Sequence, residues 1–346
     1  MKLFFKNIIL LISFLLLSAN ISAQDDCALN LKEAQKLYTQ GIIEEIPALL
    51  NPCLEQGFNT EDKIQAYKLL ILTYLFDDNK ELAEETMLKF LKTNPEYKLN
   101  PAIDPAEFIF LFNSYNTKPI FELGVTAGLN YSFPFITKLF GPGNVATDVS
   151  KYKSSGMGVQ FGPKFICHIS DKYDIGTQVV YSQKKFELTS ALSDFSKTSL
   201  IETQKLIHIP VVAYYKFELT EKIKPYVLSG LAYSYLFDAS YKPVRQYTDN
   251  SSNDVSGSDF SLKDFRRKNN VSIIVGAGAR YKIPHGNIFF NIKYSLDLLN
   301  QVNVDNRLSD FDFISRYYSY DSNFNINNLT ISVGYLYSIF NHKKIK

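Results

Sequence analysis

Tryptophan is absent from the 346 residues, and cysteine, methionine and histidine occur only three, three and four times. So few cysteines and histidines exclude a metal-cluster protein and a disulfide-dense scaffold. A surplus of either charge is missing too. The 37 basic and 35 acidic side chains leave +2, too little to argue for a nucleic-acid partner. Beyond residue 23 no stretch approaches 18 consecutive apolar residues, which excludes spanning helices. Spanning strands stay open, because they hide from hydropathy scans. What is plentiful is aromatic: 27 Phe and 23 Tyr. With 46% apolar and 21% charged residues the chain is not disordered, and its length allows two domains.

Residues 1–23 read MKLFFKNIILLISFLLLSANISA. Lys2 and Lys6 give a positive start, Ile8 to Leu17 a short apolar run, and Ile21-Ser22-Ala23 resembles a cleavage site before Gln24. This is the pattern of a secretory signal peptide. The run is shorter than the roughly 20 residues a membrane anchor needs. Gln24-Asp25-Asp26 ahead of Cys27 lacks the small and apolar residues of a lipobox.

From 24 to 118 the apolar period is helical. The spacing predicts helices over Leu29 to Thr39, ended by Gly41, and over Glu44 to Leu54. A third starts at Thr60 and turns at Asp78-Asn79, and a fourth covers Leu82 to Leu91. Asp104-Pro105 is expected to cap a fifth, Ala106 to Phe112. Tyr67, Leu70, Tyr74, Ala83 and Pro95 fall at the spacing of a tetratricopeptide repeat, so the third and fourth helices resemble that hairpin. Ile71 and Phe90 depart from it, standing where small residues are usual. One repeat and a partial one fall short of the usual three, so stability must come from elsewhere. In an oxidising periplasm Cys27 and Cys53 are expected to form a disulfide, contributing about 3.5 kcal/mol on the chain-entropy model.

From Ile120 the period switches to two. Phe121, Leu123, Val125, Ala127, Leu129 and Tyr131 alternate with Glu122, Gly124, Thr126, Gly128 and Asn130, and seven further segments follow the same rule. Segments of 12 to 16 residues exceed soluble strands and suffice to span a membrane. Tight turns at Ser170-Asp171-Lys172, Thr220 to Lys224 and Pro284-His285-Gly286 alternate with long loops, Thr189 to Ile201, Asp238 to Lys268 and Asn300 to Asn325 among them. That asymmetry is the signature of an outer-membrane barrel, with the short turns in the periplasm. Eighteen of the 23 tyrosines follow residue 120, several near strand ends where an aromatic girdle belongs.

The stretch Leu206-Ile207-His208-Ile209-Pro210-Val211-Val212-Ala213-Tyr214-Tyr215-Lys216-Phe217, then Lys224-Pro225-Tyr226-Val227 and Gly230, resembles the outer-membrane β-barrel family of Bacteroidota. That family includes the PorT proteins of type IX secretion. The resemblance covers 120–340 and implies a barrel. The helical domain in front departs from a plain barrel of this type.

The expected fold is α+β in two domains after the signal peptide (1–23). A tetratricopeptide-like α-helical domain in the periplasm (24–118) precedes an eight-stranded antiparallel transmembrane β-barrel in the outer membrane (119–346). Asn113 to Lys118 is too short for a flexible linker, which is expected to hold the helices close to the barrel's periplasmic mouth. The alternation points Glu122, Lys164, His168, Asp174, Lys184, Arg280, Lys293 and Asp297 inward, as a polar network in an interior that side chains fill. Glu122 is expected near Lys164 and His168, and Cys167 is expected as an unpaired thiol on the lipid side.

No catalytic, cofactor or metal residues are assigned. His168 and His208 lie in strands, His285 in a turn and His342 in the tail, whereas chemistry on the outer leaflet needs a histidine in an outer loop. Asp310, Asp312 and the aromatic run from Arg316 to Tyr320 suit a protein or sugar surface. The expected function is non-enzymatic. The barrel sits in outer-membrane lipid and positions the helices to dock on a periplasmic or outer-membrane protein of an envelope or secretion machine. Binding through the outer loops and modification of outer-membrane lipid are the alternatives.

Overall fold

The computed structural model describes residues 26–55, 57–140, 151–192, 196–247, 255–309 and 321–345. The expected signal peptide, Asp310, Asp312 and the run from Arg316 to Tyr320 lie outside them. The chain divides into two compact units. One holds the helices up to Lys118 together with Phe340–Lys346, and the other is Pro119–Ile339.

Among the described residues the helical unit has five helices: α1 at 26–40, α2 (Ile46–Glu55), α3 (Thr60–Phe76), α4 (Lys80–Thr93) and α5 (Ala106–Asn113). Gly41 ends α1 in the left-handed region, at φ +80°. Ile42 N–H reaches back to Leu37 O and Gly41 N–H to Tyr38 O, the paired bonds of a Schellman cap. Asp78, at φ +52°, ends α3 in the same way, and Asn79 then caps α4 by accepting from Leu82 N–H. α3 is central because both its faces are apolar. Ala66, Leu69 and Leu70 pack with Leu31, Ala34, Ile46 and Leu50, while Tyr67 and Ile71 pack with Met87, Phe90, Phe108 and Phe112. Cys27 and Cys53 form the expected disulfide, Cα to Cα 5.7 Å, joining α1 to α2.

Asp104 does not cap α5, which has no side-chain cap. Its fully buried carboxylate turns onto α3 instead. It accepts from Lys68 Nζ at 2.5 Å, Tyr97 OH at 2.9 Å and Asn100 N–H at 2.7 Å. Burial opposes its ionisation, but these donors outweigh burial and hold the carboxyl below its ordinary value. Burial also opposes the Lys68 charge, and Asp104 outweighs that, raising the ammonium.

The C-terminal residues pack with the helical unit, although the alternation leaves them with the barrel. Tyr115 bridges Lys344 antiparallel, Asn116 N–H donates to Lys343 O at 2.9 Å, and Ile345 N–H donates to Ser114 O at 2.7 Å. Lys344 also pairs with Glu84 at 2.5 Å. The two units are thus covalently joined twice, at Lys118–Pro119 and at Ile339–Phe340.

The second unit is one antiparallel sheet. Its main strands are β1 (Pro119–Lys138), β3 (Met157–His168), β4 (Tyr173–Gln178), β5 (Val180–Leu192), β6 (Ser196–Lys216), β7 (Ile223–Tyr247), β10 (Asn269–Ile283), β11 (Gly286–Asp297) and β12 (Asn323–Phe340). β2 (Lys151–Ser154), β8 (Val255–Ser256) and β9 (Phe260–Ser261) are short additions. Strand pairing runs β3-β1-β12-β11-β10-β7, then β7 to β6 and β6 through β4 and β5 back to β3, so the sheet closes on itself. Closure removes the open edges that no lipid can satisfy. Where β1 meets β12 the backbones approach so closely that a Cβ on Gly124 would lie 1.9 Å from Tyr335 O.

β4 and β5 are two parts of one strand in unbroken register. Lys164 pairs Gln178 and Gln160 pairs Ser182 along the same ladder of β3. The break at Val179 has a chemical cause. Val179 N–H donates to Pro163 O at 3.1 Å, and Pro163 has no N–H to return the bond. On β7 the register against β6 slips between Leu206–Leu236 and Lys205–Asp238, a bulge at Phe237. Before it Leu228, Ala232 and Leu236 face inward; beyond it Ala239 and Tyr241 do.

The other face is the membrane surface. Val125, Val159, Phe161, Val211, Leu231, Val275, Phe290 and Val333 are exposed on successive strands. Aromatics rim both ends, Tyr173 with Tyr215 near the short turns and Tyr181 with Phe237 towards the long loops. β5, β6 and β7 run well past the span, so much of the expected 189–201 and 238–268 loops is paired strand. At the short-turn end Pro284 and His285, the latter at φ +64°, make the two-residue turn between β10 and β11.

Candidate functional site in the barrel interior

The inner face carries polar groups on nearly every strand. Near the short turns Asp174 is a hub. Its Oδ1 meets Lys216 Nζ at 2.6 Å and His168 Nδ1 at 2.7 Å, and its Oδ2 accepts from Arg280 at 2.8 Å. His168 and Asp174 are direct partners across β3 and β4. Arg280 comes from β10, separated from β4 by β6 and β7, so this bond crosses the lumen. Glu122 accepts from Asn287 at 2.5 Å and stands 3.7 Å from both Arg280 and His168. The 3.7 Å separations are ion-pair distances, too long for hydrogen bonds. Glu122 Oε2, His168 Nε2 and Arg280 NH2 are accordingly left without hydrogen-bond partners.

Lys164 does not join Glu122 in an ion pair. Its ammonium sits over the Phe289 ring at 3.8 Å and the Tyr214 ring at 5.5 Å, so the aromatic faces substitute for a counter-ion. Further along, Lys184 on β5 reaches across the lumen to Asp297 on β11 at 3.0 Å. Ser272 and Gln301 also donate to Asp297, each at 2.9 Å. Lys293, on β11, faces a small cavity beside Lys184 and His208. All eight residues expected inside are therefore buried or nearly so, in two groups, with Lys164 and Lys293 outside the ion pairs.

Sequence reasoning missed a third polar group. Arg266, from the segment between β9 and β10, has a fully buried side chain. It forks onto Glu202 through Nε at 2.8 Å and NH2 at 2.7 Å, donates to Asp321 at 2.7 Å and also bonds Tyr241 OH. Its guanidinium lies 5.4 Å from the Tyr241 and Phe324 rings. Glu202 shares the inward parity of Gln204, a signal the alternation carried; Arg266, in a loop, had none.

Apolar side chains fill what the polar groups leave. Ile166, Val212, Leu228, Ile274 and Leu336 pack around Tyr214 and Tyr226, and Leu188, Leu200, Leu236 and Leu262 pack towards the long loops. His208 Nδ1 and Ser234 Oγ are 2.9 Å apart, but no described carboxylate hydrogen-bonds His208, so a Ser-His-acid set is not assembled there. Among the described residues no group of three or more His, Cys, Asp or Glu side chains converges as metal ligands. Cys167 is a free thiol, half-buried on β3.

A closed antiparallel sheet, apolar outside and plugged by ion pairs inside, defines a small membrane β-barrel. The family described as outer membrane protein beta-barrel domain matches residues 116–303, more than half of the chain, and the chain belongs to that family. It is an outer-membrane β-barrel protein. No curated protein matches it. Among solved structures it is similar to Neisserial surface protein A, at 16% identity over 63% of this chain and 97% of that one, TM-score 0.33. It is similar to the attachment invasion locus protein Ail of Yersinia pestis, solved with the heparin analogue sucrose octasulfate, at 14% identity over 63% and 99%, TM-score 0.29. It is also similar to OprG of Pseudomonas aeruginosa, at 10% identity over 65% and 98%, TM-score 0.34. The family match carries the assignment, and scores this low add nothing to it.

Proposed function

We propose that the chain is a non-enzymatic outer-membrane anchor of the Bacteroidota type whose tetratricopeptide-like helical unit docks, in the periplasm, on a protein of the envelope or of a secretion machine such as type IX. On this reading the barrel has eight strands, β4 and β5 counting as one interrupted at Val179, opposite Pro163 of β3. The observation that carries the proposal is the division of labour. The lumen is occupied by its own ion pairs and apolar side chains, while the helical unit is separately cored, cross-linked, and leaves large apolar residues exposed. Phe110 on α5 is 81% exposed and Phe76 at the end of α3 is 70% exposed. Single exposed apolars are ordinary, but these lie on a unit that a barrel does not need for its own closure.

A photo-crosslinking residue at Phe76 or Phe110, in cells, tests it. A discrete adduct with one envelope protein is expected. No adduct from either position, with a discrete adduct from the same residue placed at Asn303, would move the function to the other side. That second reading, binding through the loops, is favoured by a cleft of about 390 Å³ bordered by Asp264, Arg267, Lys268, Asn303 and Asn306, which suits an anionic group. The third reading, lipid modification, would require the gene's loss to change outer-membrane lipid.

A further inference from the structure

We propose that the outward face of β5, β6 and β7, just beyond the apolar belt on the long-loop side, binds the phosphate of a phosphorylated glycolipid in the outer leaflet. With the short turns in the periplasm, this face stands at the outer surface of the membrane. The helices and their partner play no part in it.

The belt can be followed along β6. Counted from the short-turn end, its outward residues are Tyr215, Ala213, Val211, Ile209 and Ile207. That stretch matches the roughly 9–11 residues of a spanning strand. Ile207 pairs with Tyr181 on β5 and Tyr235 on β7, an aromatic row that closes the belt.

Beyond that row the outward chemistry changes at once. Gln183, Lys205 and Asp238 come next, then Lys185, Thr203, Ser240 and Ser261, then Glu187, Ile201 and Lys242. Lys184, Phe186, Gln204, Leu206, Ala239 and Tyr241 beside them are buried on the inner face, which fixes the outward parity. Outward rows are about 7 Å apart along a strand, and neighbouring strands about 4.8 Å apart. Lys185, Lys205 and Lys242 therefore surround the hydroxyls of Thr203 and Ser240 in a patch about 14 Å long, at headgroup height.

Three features fit a phosphate there. Thr203, Ser240 and Ser261 set hydroxyl donors side by side in one row, and among the described residues none of them is spent on another group. The carboxylates of these rows are both taken, Asp238 by Lys205 at 2.8 Å and Glu187 by Lys153 at 3.3 Å, so Lys185 and Lys242 add net positive charge beside the hydroxyls. The patch also continues the lipid-facing surface on the same strands. One amphipathic molecule covers both, with acyl chains on the apolar rows and its phosphate among the lysines. A soluble anion would use the upper rows alone.

The test uses the full-length protein in phosphatidylcholine nanodiscs, with lipid A carrying one phosphate as the probe and native mass spectrometry reading the affinity. Saturable binding is expected, with about a tenfold loss either in Lys185→Gln with Lys242→Gln or when the phosphate is removed from the probe. Lys172→Gln with Lys222→Gln removes the same charge from exposed turns at the other end and is expected to leave the affinity unchanged. Equal binding by the Lys185 and Lys242 variant, or of the phosphate-free probe, would overturn the proposal. So would an equal loss in the turn variant, or equal binding of phosphatidylglycerol, since either would reduce the effect to general attraction between charges. The heat-modifiable gel shift checks that both variants fold, and the comparison of probes on the wild type decides without them.

Discussion

Arg280 on β10 and Asp174 on β4 meet at 2.8 Å across the lumen, with two intervening strands on one side of the ring. Lys216 and His168 converge on the same carboxylate. Replacing Asp174 by Ala removes the carboxylate that Arg280, Lys216 and His168 share and leaves only Glu122, 3.7 Å away, opposite Arg280. Breaking a buried pair from one side costs about 3–5 kcal/mol. Asp174→Ala is therefore expected to unfold at markedly lower urea in lipid vesicles. Adding Arg280→Met is expected to recover part of the loss, because the uncompensated charge goes with it.

The lipid face predicts a depth-dependent penalty. Val275 is exposed midway along β10, while Ile274 beside it is buried on the inner face, so Val275→Arg places its charge in lipid and is expected to cost about 2–4 kcal/mol. Val304→Arg, in the exposed segment between β11 and β12, is expected to be near neutral. Folding equilibria in vesicles read both.

The disulfide between Cys27 and Cys53 closes a sequence separation of 26 residues. Cys27→Ser with Cys53→Ser is expected to lower the stability of the helical unit by about 3.5 kcal/mol. Far-UV circular dichroism at the helical minimum is expected to show an earlier transition, which reductant reproduces in the wild type.

The Asp104–Lys68 pair sets a pH window for the same unit. The Asp104 carboxyl is depressed, so its contribution is complete above the ordinary carboxylate range and is lost as pH falls through the depressed value, below about 4. Lys68 is raised, so its contribution is complete below the ordinary lysine range and is lost above about 10. Asp104→Asn is expected to flatten the acid limb of the helical transition, and Lys68→Met the alkaline one.

The barrel was legible because two-residue alternation is an unambiguous signal where one face meets lipid. Glu122, Asp174, Arg280 and Asp297 could be placed inward from parity alone. Parity fails where the backbone changes phase. The bulge at Phe237 moves the inward set from Leu236 to Ala239 and Tyr241, and no residue type announces it. Arg266 enters the lumen from a loop, where there is no period to read. Asp104 before Pro105 has the chemistry of a helix cap, and only the tertiary placement of Lys68 diverts it. The C-terminal residues continue a strand pattern, yet Lys343 to Ile345 pair with Ser114 to Asn116, a long-range choice that local sequence does not encode.

The most direct measurement is a mild-detergent pull-down of the tagged full-length protein from native outer membrane, beside a variant lacking residues 27–112, with quantitative mass spectrometry of both. A stoichiometric envelope protein is expected to accompany the full chain and to be lost from the truncated one, while both barrels show the heat-modifiable gel shift of a folded barrel. The same partner retained by the truncated chain would contradict a docking role for the helices.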